Sequence, residues 1–169
     1  MKKFTRLSML LALSVALNII ETSLPLLNGY IPGLRLGLAN IVTLFILYQF
    51  GFKDALYVGI LRVFLVGILR TGIFSTTFFF SLTGVLLSII FMYLAKRFLN
   101  LSIIGVSIIG SIAHSTGQIL ASIFILQMDA MIYYLPWLLL FSIPTGILVG
   151  ILCKQLVKFY DQNLLIETF

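Results

Sequence analysis

The sequence predicts an all-α integral membrane protein built as a bundle of six transmembrane helices. Three observations lead to this fold class. The 169-residue chain is 61% hydrophobic and only 9% charged. Its mean hydropathy is +1.18, and six apolar stretches fill nearly all of it, with short polar segments between them. A soluble domain of this length would need far more polar surface, so the bilayer is the predicted solvent.

The six apolar stretches are expected to form helices within one transmembrane domain that covers residues 1–169. Their predicted bounds are 7–24, 36–50, 55–71, 76–95, 103–127 and 136–157. Crossing a hydrocarbon core of ~30 Å takes ~20 helical residues, although ~17 can suffice. The second stretch is therefore short and is expected to extend back toward Pro32. The first follows a basic start, as in a signal peptide, but no small-x-small cleavage site follows it, so we count it as a span.

Basic residues set the expected orientation. With six spans, eight of them fall on one side of the membrane, namely Lys2, Lys3, Arg6, Lys53, Lys96, Arg97, Lys154 and Lys158. Cytoplasmic loops carry an excess of lysine and arginine, so both termini are predicted to lie in the cytoplasm of a multi-pass cell-membrane protein. Five spans would break this pattern.

Several function classes are disfavoured by the sequence. There is no phosphate-binding glycine loop ending in Lys-Ser/Thr and no aspartate pair for Mg²⁺ on a diphosphate, so we expect no enzyme activity. The single Cys153 and the single His114 argue against a metal site, and no cofactor is expected. The net charge of +6 resides at helix ends and forms no patch, so nucleic acid is not an expected partner.

Two arginines, Arg62 and Arg70, lie inside the third apolar stretch. A charge in hydrocarbon costs at least ~2.5–3.5 kcal/mol on insertion scales, so a membrane arginine usually faces the bundle interior, a partner or water. Together with Arg35 they would make the outer half of a cavity positive, which favours an anionic or partly anionic ligand. The structural alternative is that Arg70 reaches the interface and Arg62 pairs with a carboxylate or with helix carbonyls.

The fifth stretch carries a polar stripe that includes His114 and Gln118, four residues apart on one helix face. Such a stripe either lines a site or joins helices by hydrogen bonds. Asn40, at the start of the second stretch, is a further candidate for ligand contact. Glu21 and Arg35 are expected on the same side of the membrane, where an ion pair would tether the loop between the first two helices.

The first outer loop, residues 21–35, is the longest and is rich in proline and glycine. Two interpretations are equally weighted: a lid over a membrane cavity, or a surface connection stiffened by proline. Small residues also recur every four positions. Gly146 and Gly150 are expected to pack internally, whereas Ala12 and Ala16 suit an external partner as well as internal packing.

The segment PGLRLGLANIV at residues 32–42, followed by Arg62 and by LRTG at residues 69–72, resembles the Gx transporter family, also catalogued as heptaprenyl diphosphate synthase component I. That family is similar to the substrate-binding S components of energy-coupling factor (ECF) vitamin transporters. The resemblance covers almost the whole chain, and the segment at 32–42 is fairly specific.

The resemblance implies a six-helix subunit that captures a small vitamin- or isoprenoid-related solute and docks on a T subunit driven by two ATPase subunits. It implies that loop 21–35 is the lid and that Ala12 and Ala16 meet the T subunit. The ligand would contact Arg35, Asn40, Arg62, Arg70, His114 and Gln118. The alternative is a non-catalytic membrane component of heptaprenyl diphosphate synthesis, which binds a lipid diphosphate or recruits a soluble synthase.

Overall fold

The computed structural model describes residues 2–23 and 37–166, and every regular element in these two ranges is helical. The all-α class is thereby confirmed. The α-helices are α1 (Lys2–Ser23), α2 (Leu38–Gln49), α3 (Phe52–Val66), α4 (Thr76–Phe98), α5 (Ile103–Leu126) and α6 (Leu135–Ile166). A π-helical turn, Gly67–Thr71, continues α3, and a 3-10 helix, Asp129–Tyr134, precedes α6.

Four of these helices, α1, α4, α5 and α6, are long and apolar enough to cross a membrane. The chain therefore has the long apolar helices of a multi-pass membrane protein. By contrast, α2 has 12 residues and α3 has 15 before its π-helical turn. Six complete spans thus remain a prediction.

Local signals explain where several helices begin and end. The Ser75 and Ser102 hydroxyls accept hydrogen bonds from the backbone N–H groups of Phe78 and Gly105, so each caps a helix N-terminus. Between α2 and α3 the chain turns at Gly51, whose φ of 101° favours glycine. These caps and turns place α4 and α5 within a few residues of their predicted bounds.

The short helix α2 lies at the centre of the bundle, in contact with α1, α3, α4 and α6. Buried residues cover its whole circumference from Ala39 to Leu47, except for the half-buried Asn40. A helix that is apolar all round is one that its neighbours enclose. Its burial explains why α2 reads as an apolar stretch despite its 12 residues.

Glycines let α4, α5 and α6 pack closely. A Cβ on Gly150 would lie 2.7 Å from the Ile104 Cα, and one on Gly146 would lie 2.8 Å from the Ile108 Cα. The predicted internal packing of Gly146 and Gly150 is confirmed. In contrast, Ala12 and Ala16 are exposed, so the described helices leave that strip of α1 uncovered.

We expect Gly150→Ala to destabilise the bundle by about 1–3 kcal/mol, because the added methyl would meet the backbone of α5 rather than a movable side chain. Thermal unfolding of the purified protein in detergent measures the effect. Ile151→Ala is the control, because Ile151 is the next residue of α6 and is exposed. It should change the melting temperature little. Equal melting temperatures for the two variants would show that α5 and α6 are not tightly packed at Gly150.

Polar contacts join the helices at the end of the bundle where α1 begins and α6 ends. Lys3 forms an ion pair with Asp54 at 2.8 Å, Arg6 donates to the Tyr160 hydroxyl at 2.9 Å, and Lys96 donates to the Leu47 carbonyl at 3.1 Å. We call this the basic end, and the opposite end the cavity end.

Candidate ligand-binding cavity

A cavity of about 310 Å³ opens at the cavity end, between the last turns of α1 and α3, the first turns of α2, α4 and α6, and the middle of α5. Its volume lies at the lower end of the range typical of small-molecule sites, which is roughly 300–1,000 Å³. All six helices of the described chain contribute to its lining.

Most of the side chains that line the cavity are polar, which is unusual inside a bundle of apolar helices. Its polar side chains are Asn18, Glu21, Asn40, Arg62, Arg70, Thr71, Thr77, Ser81, Ser111, His114, Ser115, Gln118, Ser142 and Thr145. Ala39, Val63, Val66, Phe78, Val85 and Leu138 supply apolar surface between them. Polar groups buried in an apolar bundle are costly unless they are hydrogen-bonded, so a lining of this kind favours a polar occupant.

Arg62 is buried, with 3% of its surface exposed, and its guanidinium borders the cavity. It donates to the hydroxyls of Ser14 and Thr43 at 3.5 and 3.2 Å, and to the Asn40 amide oxygen at 3.4 Å. These contacts are with α1 and α2 and are made by neutral oxygens. They differ from the carboxylate and carbonyl contacts considered from the sequence, because serine, threonine and asparagine face α3 at this depth.

Arg70 lies on the π-helical turn and donates to the Ile19 carbonyl near the C-terminal end of α1, at 3.2 Å. A cation at a helix C-terminus is favourable because the last carbonyls carry partial negative charge. On a regular α-helix, Arg62 and Arg70 would lie ~80° apart around the axis. The π-helical turn changes this offset, and both side chains line one cavity. Such turns are frequent at functional sites.

The buried carboxylate of Glu21 connects α1 to the start of α2. Its Oε1 accepts a hydrogen bond from the backbone N–H of Gly37 at 2.6 Å. The N-terminal end of α2 carries partial positive charge, which stabilises an anion placed there. Arg35 and most of the predicted lid, residues 24–35, lie outside the described residues. The Glu21–Arg35 ion pair, the lid and the ligand role of Arg35 therefore stay predictions.

The polar stripe of α5 faces the cavity with His114 and Gln118. Ser115 is hydrogen-bonded to Ser142 of α6 at 2.6 Å. Ser142 and Thr145 were missed by the sequence analysis, because isolated hydroxyls in an apolar stretch usually bond to their own helix backbone. One sequence signal could have indicated them: they lie on either side of Pro144, a residue that removes one backbone hydrogen-bond donor from a helix.

Five of the six predicted ligand contacts line this one cavity: Asn40, Arg62, Arg70, His114 and Gln118. Whether they bind a ligand stays a prediction. Within the described ranges, no group of three or more His, Cys, Asp or Glu side chains could hold a metal ion.

We expect Arg70→Gln to weaken binding of an anionic solute by about tenfold, since it removes a positive charge at an exposed rim rather than a buried one. Isothermal titration of the purified protein with a small anionic solute measures the affinity. Arg97→Gln, at the basic end, is the matched control. If both variants lose affinity equally, Arg70 has no part in the site.

The helices and the cavity define a class of protein: a helical bundle of the multi-pass membrane type with a polar chamber at one end. The family model for heptaprenyl diphosphate synthase component I matches residues 10–156, and the chain belongs to this family. Neither the search of curated proteins nor the search of solved structures found a match.

Proposed function

We propose that this protein is the substrate-binding membrane subunit, or S component, of an ECF-type ATP-driven importer. It lies in the cell membrane with both termini in the cytoplasm and the cavity end facing outward. The observation that carries the proposal is the polar cavity with two guanidiniums at the end of the bundle opposite the basic end. In this arrangement a solute enters from outside and is held within the membrane.

The chemistry of the lining supports capture of a small polar solute. A bundle that served only as a scaffold would gain more from apolar packing than from an interior of hydroxyls, amides and charges. Arg62 in particular keeps a full charge in a buried position, beside a chamber of about 310 Å³. Buried charges in membrane helices commonly mark substrate or ion pathways.

Partner subunits must supply the energy under this proposal. The sequence has no phosphate-binding glycine loop of the type used to hydrolyse ATP. The exposed Ala12 and Ala16, with the exposed Ser8 in the same register, form a flat strip on α1 where another helix can approach closely. We assign this strip to the T subunit, which two ATPase subunits drive. The protein itself binds and does not catalyse.

A second candidate function follows from the family description. As a non-catalytic component of heptaprenyl diphosphate synthase, the protein would assemble with another component of that enzyme. The name of the family favours this alternative. The cavity gives it no support, because a long isoprenoid chain needs an extended apolar channel, whereas the described chamber is small and most of the side chains that line it are polar.

Affinity purification of the tagged protein in mild detergent, followed by mass spectrometry of the accompanying proteins, tests the proposal. We expect a membrane T subunit and two ATPases in the purified complex. Recovery of a soluble prenyl synthase in their place would reject the importer and support the second candidate.

A further inference from the structure

The helices α3 and α4 pack side by side and run in opposite directions. At the basic end, the rings of Phe52 and Tyr93 are in contact, with centroids 4.6 Å apart. Toward the cavity end, Phe64 packs on Phe78 with centroids 5.2 Å apart. We call the line of contact between these two helices the α3–α4 seam. It brings the first turn of α3 and the last turn of α4 together at the basic end.

An exposed cation lies at each of these two helix ends. Lys53 follows Phe52 in the chain, and Arg97 donates a hydrogen bond to the Tyr93 hydroxyl at 2.8 Å. Since Phe52 and Tyr93 are in contact, both cations lie close to the same aromatic pair. Two positive charges are therefore held at one end of the seam.

No carboxylate of the described chain pairs with these two cations. Within residues 2–23 and 37–166, neither Lys53 nor Arg97 forms an ion pair, and the neighbouring Asp54 is paired with Lys3 at 2.8 Å. The Arg97 guanidinium has five N–H donors, and the Tyr93 hydroxyl is its only hydrogen-bond acceptor in those ranges. Both cations are thus available to an anion from outside the chain.

An exposed apolar stripe on α3 begins beside Lys53. Tyr57, Leu61 and Phe64 follow it at spacings of four, four and three residues, which places all four side chains on one face of the helix. From Lys53 to Phe64 the helix rises ~16 Å. Half of a hydrocarbon core of ~30 Å is ~15 Å, so the stripe has the length of one lipid leaflet.

The helix α4 presents the same arrangement on the other side of the seam. The exposed Leu94 and Ile90 precede Arg97 by three and seven residues, again on one helix face. The exposed Phe98 is next to Arg97, whose guanidinium lies 5.7 Å from the centre of its ring. Basic and aromatic side chains at helix ends are typical of a membrane–water interface. A charged end followed by an apolar stripe matches a phospholipid, in which a charged headgroup precedes apolar chains.

We infer that the basic end of the α3–α4 seam binds an anionic phospholipid of the surrounding bilayer. Lys53 and Arg97 hold its headgroup phosphate, and the apolar stripes of the two helices contact its acyl chains. Arginine offers a planar set of donors suited to phosphate, and lysine offers a compact charge. A zwitterionic lipid carries a cation beside the same phosphate, so its headgroup would gain less from two unpaired positive charges.

This surface is distinct from the cavity. Phe78, which lines the cavity, lies nineteen residues from Arg97 on the same helix, or ~28 Å along its axis. Lipid binding goes beyond the importer function and does not require it, since it uses neither the cavity nor the exposed strip of α1. Substitutions at Lys53 and Arg97 should therefore leave solute binding and recovery of the T subunit unchanged.

The test uses the purified full chain in mild detergent and two lipids with the same acyl chains. Dioleoylphosphatidylglycerol is the anionic probe, and dioleoylphosphatidylcholine is the zwitterionic one. The readouts are the lipid retained in native mass spectrometry and the melting temperature, because a ligand that binds only the folded state raises the melting temperature.

We expect the unmodified protein to bind the anionic lipid with an affinity at least ~10-fold above that for the zwitterionic lipid. The double variant Lys53→Gln/Arg97→Gln should lose this preference. The matched control, Lys154→Gln/Lys158→Gln, removes the same charge from exposed positions of α6 and should keep it. All four side chains are exposed, so both variants should fold, and each is compared with its own melting temperature without lipid.

Equal binding of the two lipids by the unmodified protein would overturn the inference. So would an equal loss of the preference in the two double variants, since it would indicate diffuse attraction to the whole basic end rather than a site on the seam. If the Lys53/Arg97 variant keeps the preference but loses a co-purifying protein, the seam docks a protein and the lipid site is rejected. Recovery of a T subunit by the unmodified protein tests the importer separately, so the two failures are distinguishable.

Discussion

Arg62→Met should abolish solute binding while the protein stays folded. Arg62 is the most buried of the charged side chains in the described lining, where water screens a charge least. We therefore expect affinity to fall by at least ~100-fold, or about 2.8 kcal/mol. Methionine fills much of the same volume. Removal of a buried charge in favour of an apolar side chain need not destabilise a protein. Thr43 keeps a partner, since its hydroxyl also donates to the Ala39 carbonyl.

Two further variants make this result specific. Arg62→Lys keeps the positive charge but loses the planar guanidinium group with its several N–H donors, and should bind the solute with intermediate affinity. Arg97→Met removes an exposed arginine at the basic end and should bind normally. Isothermal titration gives the affinities, and thermal unfolding checks that each variant is folded. Wild-type affinity in a folded Arg62→Met protein would exclude the guanidinium from the site.

Under the proposed function, Ala16→Leu is expected to prevent assembly with a T subunit. Ala12 and Ala16 are exposed on α1, so a larger side chain there meets no other described helix and leaves the bundle intact. It would, however, hold a partner helix away from a strip that small residues keep flat. We expect recovery of the T subunit in a pull-down to drop at least ~10-fold, with solute binding unchanged.

Ala130→Leu is the matched control for this variant. It makes the same substitution at an exposed alanine, in the 3-10 helix at the cavity end of the bundle. The T subunit should accompany this variant as it does the unmodified protein. If Ala16→Leu and Ala12→Leu also retain the partner in full, the docking surface lies elsewhere on the protein.

Helices whose ends carry explicit signals were predicted well. The predicted helix 76–95 corresponds to Thr76–Phe98, and 103–127 corresponds to Ile103–Leu126, each preceded by a capping serine. The last helix was predicted to end at 157, but it continues to Ile166. There the sequence is no longer uniformly apolar, and Tyr160 packs on Phe45 while it accepts a hydrogen bond from Arg6. The hydropathy pattern does not reveal such tertiary contacts, so the sequence did not predict the longer helix.

The charged, amide and imidazole side chains of the candidate site could be predicted from the sequence, whereas some of its hydroxyls could not. Charges, amides and the imidazole stand out in an apolar sequence, so Arg62, Arg70, His114 and Gln118 could be singled out. Ser142 and Thr145 do not stand out, since isolated hydroxyls are readily satisfied within a helix. The π-helical turn at Gly67–Thr71 has no comparable sequence signal, yet it sets the position of Arg70.

Identification of the small molecules retained by the purified protein is the most direct test of whether the cavity binds a small polar solute. The protein and its Arg62→Met variant are purified side by side in mild detergent, and their bound solutes are extracted and compared by mass spectrometry. We predict a small polar anion that accompanies the unmodified protein and is missing from the variant. The same retained molecules in both preparations, or a prenyl lipid in place of a polar solute, would contradict it.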